Sequence, residues 1–442
     1  MAKKIPQFLI AAPNSGSGKT TVCRALMAAL VRRGMQVQPY KCGPDYIDTK
    51  FHAAVCGRKS VNLDTFMAAP EHVKRLYAHY AHDKDACVVE GMMGFFDGYD
   101  RYKGSSYSVA ALLNLPVVLV VDARSAAYSV AALLYGFIHF RTDVTIAGVI
   151  FNRVGSERHY KMLLDACTDL GVPCLGYMPK DENLEQKSRY LGLDFSQNST
   201  DGILDYMAER AESHIDISRL LTVVERDASA EASPFYIQQR EKPNIAVAHD
   251  NEAFSFVYAE HIDMLENMGK VIFFSPADNE PVPPCTDLLY LPGGYPEKHA
   301  GRLSAAENAK LSVRNYIESG GKALAECGGM MYLTRSLLFD DEPREVAMAG
   351  VLPVSVSCRK TDRKLSLGYR RFTYNGIELR GHEFHYTQFA DCDDSPAIPP
   401  SCAQVFNARG VQMPTPVFRY KNLIASYTHL YWGGIDPMRL FC

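Results

Sequence analysis

The sequence predicts two α/β domains in series, and three observations carry that expectation. Short apolar strands alternate with amphipathic helices from Gln7 to about Leu193, and the same rhythm restarts at Asn244 after a charged segment. A glycine-rich loop in the first half and a cysteine-glycine turn in the second each stand between a strand and a helix. A chain of 442 residues also exceeds what one ordinary hydrophobic core holds.

The first half reads in order as the strand QFLIAA, a helix from Lys19 to Arg33, the strand VQPYK, a helix near Glu71 to His82, and ACVVEG. PVVLVVD, a helix near Ser129, IAGVIFN and PCLGYMP follow. Strands apolar throughout, rather than alternating, suit a parallel sheet covered on both faces by helices. The first domain is expected over 1–222. Residues 223–243, rich in charge and small side chains and closing on Pro243, read as a linker. The second domain, 244–442, opens with NIAVAHD, a helix through Met264, KVIFFSP, DLLYLPGG, a helix through Ile317 and ALAECGG. From Ala347 onward the strands are shorter and rich in aromatic and β-branched residues.

The composition, 47% hydrophobic and 22% charged, is that of a folded globular protein. A net charge of -3 offers no global electrostatic case for nucleic acid or an anionic membrane. The 12 cysteines include no CxxC pair, which fits reduced thiols better than disulfides and predicts no zinc site. The apolar run after Lys3 and Lys4 is too short for a signal peptide, and no stretch approaches a membrane span, so a cytoplasmic location is expected.

The segment from Pro13 to Thr20, PNSGSGKT, joins a strand to a helix as a phosphate-binding loop must. Backbone N–H groups around Gly16, Ser17 and Gly18 can cradle phosphates at the helix N-terminus, with Thr21 beside them, while Lys19 reaches the terminal phosphates and Thr20 ligates Mg²⁺. Pro13 replaces the usual first glycine. Asn14 stands where partition ATPases of this fold class carry an additional lysine, which favours a small-molecule kinase or ligase.

Glu90 ends a buried strand beside that loop, where a carboxylate needs a partner and Mg²⁺ is the economical one. Asp45 and Asp48 in GPDYID are expected in a loop on the same face, and Asp97 in GFFDG adds a fourth acid. Each alone is an ordinary turn residue. Together beside a nucleotide loop they suit phosphoryl transfer from ATP to a carboxylate, with Thr20, Glu90 and Asp45 as candidate Mg²⁺ ligands. An acyl phosphate is open to attack by ammonia, which requires a source.

AECGGM, with Cys327 between strand and helix, has the layout of a nucleophile elbow. A thiol at a helix N-terminus is expected to have a lowered pKa and to attack a carboxamide. A lone cysteine is more often an inert core residue. His429 in ASYTHLY is the candidate base, although a histidine in an aromatic strand is commonly only packed. Gly293 and Gly294 in LPGGYPE offer N–H groups for an oxyanion.

Ten motifs, PNSGSGKTTV, KCGPDYID, VEGMMGFFDG, AHDNEAFSFVY, FFSP, LPGGYPE, AECGGMMYL, GYR, GHEFHY and ASYTHL, follow one another as they do in cobyrinic acid a,c-diamide synthases, which the chain resembles over essentially its full length. The resemblance implies an N-terminal P-loop domain similar to dethiobiotin synthetase that binds ATP and a tetrapyrrole. It implies a C-terminal α/β domain similar to class I glutamine amidotransferases that releases ammonia. Residue by residue, Lys19 and Thr20 would handle phosphate and metal, Asp45, Asp48, Glu90 and Asp97 would support carboxylate phosphorylation, and Asn152 would meet adenine. Cys327 would be the glutaminase nucleophile and His429 its base.

Two stretches depart from the family pattern: Arg189-Tyr190-Leu191-Gly192-Leu193 where RHLGL is common, and His429-Leu430-Tyr431-Trp432 where HLHF is frequent. Class I glutaminases place an acid two residues after the histidine, where Tyr431 stands, so no third triad member is identified. GPDYID argues against cobyric acid synthases, which carry a QNM segment there. Nickel-sirohydrochlorin and hydrogenobyrinic acid relatives remain open.

The implied reaction uses ATP, L-glutamine and a polycarboxylate tetrapyrrole, occurs at the a and c side chains, and passes ammonia along an enclosed path. Arg359, Lys360, Arg363, Lys364, Arg370 and Arg371 are candidates to line a site for so acidic a substrate, a solvated loop being the plainer reading for most. A homodimer is compatible with the sequence. The rival class is an ATP-switch regulator with an inactive glutaminase-like half.

Overall fold

A computed structural model describes residues 3–184, 200–228, 242–390 and 398–441, which form two compact units, Met1–Pro234 and Phe235–Cys442. In the first unit the strands are β1 (Lys4–Ala11), β2 (Val37–Cys42), β3 (Val61–Leu63), β4 (Ala86–Glu90), β5 (Val117–Asp122), β6 (Ile146–Val154), β7 (Cys174–Pro179) and β8 (Glu225–Asp227). Among the described residues they make an eight-stranded sheet in the order β3-β2-β4-β1-β5-β6-β7, all parallel, with β8 paired antiparallel to β1. The helices are α1 (Lys19–Arg32), α2 (Asp48–Cys56), α3 (Pro70–Ala81), α4 (Ser106–Leu113), α5 (Val130–His139), α6 (Glu157–Asp169), α7 (Thr200–His214) and α8 (Ile217–Val223).

The uniformly apolar strands are buried because helices cover both faces, and Val22, Leu26 and Leu30 of α1 pack on Phe8, Ile10, Val88 and Val118 in one core. A parallel sheet sends every strand's C-terminal end to one edge. That edge gathers the phosphate loop after β1, Lys41 and Cys42 at the end of β2, Glu90 at the end of β4, Asp122 at the end of β5 and Asn152 of β6.

Two sequence expectations change here. Asp48 is not in a loop: it opens α2, because Asp45 Oδ1 accepts the N–H groups of Ile47 and Asp48, both at 2.9 Å, and starts the helix. The segment expected as a linker begins inside the fold, since Val223 closes α8, the Gln7 amide bonds the carbonyl of Val224, and β8 adds itself to β1. The rest of that segment, 229–241, and the Arg189–Leu193 stretch lie outside the described residues.

The second unit is built on β9 (Asn244–Ala248), β10 (Lys270–Phe274), β11 (Leu288–Leu291) and β12 (Lys322–Glu326) with helices α9 (Ala259–Met268), α10 (Ala300–Ala305), α11 (Glu307–Glu318) and α12 (Gly328–Leu333). Among the described residues a six-stranded sheet runs β10-β9-β11-β12, then Leu423–Ser426, all parallel, and ends on the antiparallel Val417–Tyr420. Also among the described residues, a four-stranded sheet around Thr334–Leu338 and Leu352–Ser357 and a five-stranded sheet around Ser366–Tyr374 and Ile377–His385 account for the short late strands. One edge of the five-stranded sheet is His429–Tyr431, which carries the candidate base.

Candidate functional site

In the first unit Glu90 is the hub. It is fully buried; its Oε1 accepts from Thr20 Oγ1 at 2.6 Å and from Lys41 Nζ at 2.9 Å, and its Oε2 lies 2.6 Å from Nε2 of His52. Lys41 also reaches Asp48 Oδ2 at 2.5 Å, so one buried ammonium bridges two carboxylates. The register explains the meeting: Lys41 and Glu90 are partners across β2 and β4. Burial pushes the Glu90 carboxyl up, but the Lys41 charge and the His52 bond outweigh it and hold the group well below the ordinary carboxylate value. The partner that a buried carboxylate needs is thus supplied within the protein, by Lys41, His52 and Thr20.

Lys41 is a residue that sequence reasoning missed, being visible there only as the start of KCGPD. Its signal was the same as that of Glu90: a charged side chain closing a buried strand. Asp45 and Asp48 separate in role, since an oxygen of Asp45 starts α2 while Asp48 joins Lys41 and Glu90. Asn62, on β3, pins the acidic turn by donating to the carbonyls of Gly43 and Asp45 at 2.8 and 3.0 Å. Asp97 lies apart from this cluster, exposed, with Oδ2 accepting the Gly94 amide at 3.0 Å.

Lys19 Nζ is 3.3 Å from the Met93 carbonyl in the segment following β4. Asn152 is brought to the loop, where Nδ2 donates to the Ser17 carbonyl at 2.9 Å, and Arg153 ties the Gly16 carbonyl to Asp122 at 2.9 and 2.8 Å. Ser17 Oγ bonds the Asn14 carbonyl at 2.9 Å. The loop backbone is therefore held from β6 as well as from its own turn. The Thr20 hydroxyl and the Glu90 and Asp48 carboxylates are hard oxygens of the kind Mg²⁺ takes, and the Lys41 ammonium bridges the two carboxylates. Cys23, His52 and Glu90 also offer atoms within 4.8 Å of one another. Within that trio His52 and Glu90 are directly hydrogen-bonded, and burial pushes the Cys23 thiol well above its ordinary value.

In the second unit Cys327 is the elbow. Its backbone sits at φ 46° and ψ -107°, a conformation unfavourable for a residue with Cβ, between β12 and α12. The Cys327 amide bonds the Ser426 carbonyl at 2.8 Å, continuing the pairing of β12 with Leu423–Ser426, and His429 follows three residues after Ser426. Cys327 and His429 thus leave adjacent parallel strands at the same edge.

The glycine turn lies against both. A Cβ on Gly293 would fall 2.2 Å from His429 Cε1, and a Cβ on Gly328 would fall 2.9 Å from the Gly294 amide nitrogen. Both positions demand glycine because no larger residue allows the approach. The Gly293 carbonyl accepts the amides of Ser255 and Phe256 at 2.9 and 3.0 Å. The peptide's oxygen is thereby committed, and its other end, the Gly294 N–H, points away from those donors and sits by the elbow, as oxyanion stabilisation requires.

Electrostatics correct one expectation. Helix α12 does lower the Cys327 thiol through the Gly328 amide, but burial dominates, Glu297 adds to it, and the thiol is raised above its ordinary value. Burial, with His382 and His385 nearby, pushes His429 down to about 3. Both shifts favour the uncharged forms, thiol and imidazole.

His382 and Glu383 of GHEFHY lie beside the candidate base. His382 is the cross-strand partner of His429, and Glu383 is buried with Arg370 at 2.5 Å, Thr415 at 2.7 Å and His385 at 2.8 Å. Arg370 is therefore an internal ion-pair partner rather than a substrate-lining residue, whereas Lys360, Arg363 and Lys364 are exposed and Arg359 and Arg371 are half-buried. Tyr431, in the place where an acid is usual, donates its hydroxyl to Glu260 of α9. Among the described residues no helix is long and apolar enough to cross a membrane.

Residues 8–192 match the model of the CobQ/CobB/MinD/ParA nucleotide binding domain, and residues 244–436 match the CobB/CobQ-like glutamine amidotransferase domain. A cobyrinate a,c-diamide synthase of Caldanaerobacter subterraneus is 38% identical over 96% of this chain and 94% of its own. A hydrogenobyrinate a,c-diamide synthase of Brucella anthropi is 43% identical over 86% of this chain and 88% of its own. A cobyrinate a,c-diamide synthase of Saccharolobus solfataricus is 34% identical over 98% of this chain and the whole of its own.

Proposed function

The chain belongs to the family of cobyrinate and hydrogenobyrinate a,c-diamide synthases, and from that footing we propose that it amidates the a and c carboxylates of a corrin-type tetrapyrrole in cobalamin biosynthesis, with ATP and glutamine as cosubstrates. The observation that carries the ATP-dependent half is the buried cluster of Thr20, Glu90, Lys41 and Asp48 beside the phosphate loop, machinery that glutamine hydrolysis alone does not need.

A substrate carboxylate attacks the terminal phosphorus of ATP, the bond to the bridging oxygen breaks, and ADP leaves. Lys19 and the loop amides stabilise the charge that spreads over the transferring group. Ammonia attacks the acyl phosphate and phosphate departs, leaving the amide. Thr20, Glu90 and Asp45 are the residues that would hold Mg²⁺, which would neutralise phosphate charge when bound. Asn152 meets the adenine from the strand that also braces the loop, and Asp97 serves the same half-reaction.

In the other half the Cys327 sulfur adds to the glutamine carboxamide as His429 takes the thiol proton. The oxyanion is met by N–H groups of the Gly293–Gly294 turn, and His429 returns the proton to departing ammonia. Water then hydrolyses the thioester to glutamate.

Incubation with ATP, glutamine and cobyrinic acid, hydrogenobyrinic acid or nickel sirohydrochlorin in parallel tests the proposal. A product heavier by two amide exchanges, with one ADP per amide, is expected from at least one of them. Glutamine hydrolysis without ADP formation on all three would sink it.

A further inference from the structure

Glu90 is held from two sides, and one of its holders lies outside the ten motifs. His52 projects from α2, fully buried, with Nε2 2.6 Å from Glu90 Oε2 and Nδ1 3.1 Å from the Ser60 hydroxyl just before β3. Because Glu90 is a carboxylate, Nε2 must carry the proton and donate it. The Ser60 hydroxyl can satisfy Nδ1 and so fixes the plane of the ring.

Residues 48 and 52 are one helical turn apart and share a face of α2. That face delivers two things to the sheet edge: Asp48 to Lys41, and His52 to Glu90. Oε1 of the same carboxylate meets Thr20 of the phosphate loop and Lys41. A carboxylate on a glutamate side chain turns readily about its last bond. With Oε2 pinned by His52, Oε1 is held where Thr20 and Lys41 find it.

Building on the synthetase reading above, we propose that His52 is a positioning residue for carboxylate phosphorylation, acting through Glu90. It touches neither substrate nor nucleotide. The competing view is that His52 only completes the hydrogen bonding of a buried acid and matters for folding alone. A positioning role predicts a loss in turnover that a conservative donor restores; a purely structural role predicts lower stability at unchanged turnover.

The test uses the full chain, ammonia as nitrogen source, and whichever of cobyrinic acid, hydrogenobyrinic acid or nickel sirohydrochlorin the wild type amidates. His52→Leu is expected to lower kcat by roughly 10–100-fold, with KM for ATP changed less than about threefold. Its glutamine hydrolysis should match wild type. His52→Gln, which can still present an N–H to Glu90, should recover most of that loss.

Wild-type kcat in His52→Leu, or a folded His52→Gln no faster than His52→Leu, overturns the proposal. If His52→Leu does not fold, Ser60→Ala decides: a kcat several-fold lower at unchanged KM supports the role, and an unaltered kcat overturns it. Wild-type enzyme that amidates none of the three acids overturns the synthetase reading, and the role of His52 with it; an active wild type beside an unaffected His52→Leu overturns the role of His52 alone.

Discussion

Glu326, the residue before Cys327, is buried with its carboxyl group 2.9 Å from the Tyr290 hydroxyl, and burial lifts it to about 8. The folded chain then holds a proton that the unfolded chain releases above about 4.5, so stability falls as pH rises from there through about 8. The slope is up to about 1.4 kcal/mol per pH unit. Glu326→Gln should therefore be more stable than wild type at pH near 8 and gain little near 5, as chemical denaturation at both values will read; a gain independent of pH contradicts the assignment. His429 has the opposite sign. With its folded pKa pushed down to about 3 against an ordinary 6.5, its contribution is complete above 6.5 and is lost as pH falls towards 3, and His429→Gln should flatten that acid slope. At the synthetase site, Lys19→Ala or Glu90→Ala should abolish amidation with either nitrogen source, because no acyl phosphate forms. Ammonia-dependent product from Lys19→Ala at the wild-type rate would remove the loop from the chemistry.

Among elements, α2 is the one that organises the first site, and Asp48→Asn tests it. Loss of one charge weakens the bridge to Lys41, so amidation should slow while glutamine hydrolysis survives; equal loss of both activities would indicate misfolding. Lys41→Met should be worse, since it leaves two buried carboxylates facing each other, at a cost of about 3–5 kcal/mol that a denaturation curve will register. In the second unit, Gly293→Ala puts a methyl into the ring of His429 and should lower glutaminase activity while sparing ammonia-dependent amidation. The elements most legible in the sequence were those where an apolar run meets a glycine turn: the phosphate loop, the end of β4 and the Cys327 elbow. The opening of α2 was hidden because Gly-Pro-Asp signals a turn, and Asp45 uses that turn to start a helix. With the helix unseen, the spacing of Asp48 and His52 carried no message. Lys41 needed the β2–β4 register, and the direction of the Cys327 shift needed the depth of the elbow, both properties of packing rather than of local sequence.

The whole molecule places a phosphate loop with its acids in one compact unit and a thiol elbow with its histidine in the other. On the proposed function each unit supplies one half-reaction, so the two should be separable by substitution. The most direct test is the nitrogen source used by Cys327→Ala. Glutamine-dependent synthesis should fall by several orders of magnitude, since the nucleophile of that half is gone. High external ammonia should restore diamide formation towards the wild-type ammonia rate, because the ATP site is untouched. Product formed from glutamine at the normal rate by Cys327→Ala would contradict the account, for the C-terminal unit would then not be the nitrogen donor.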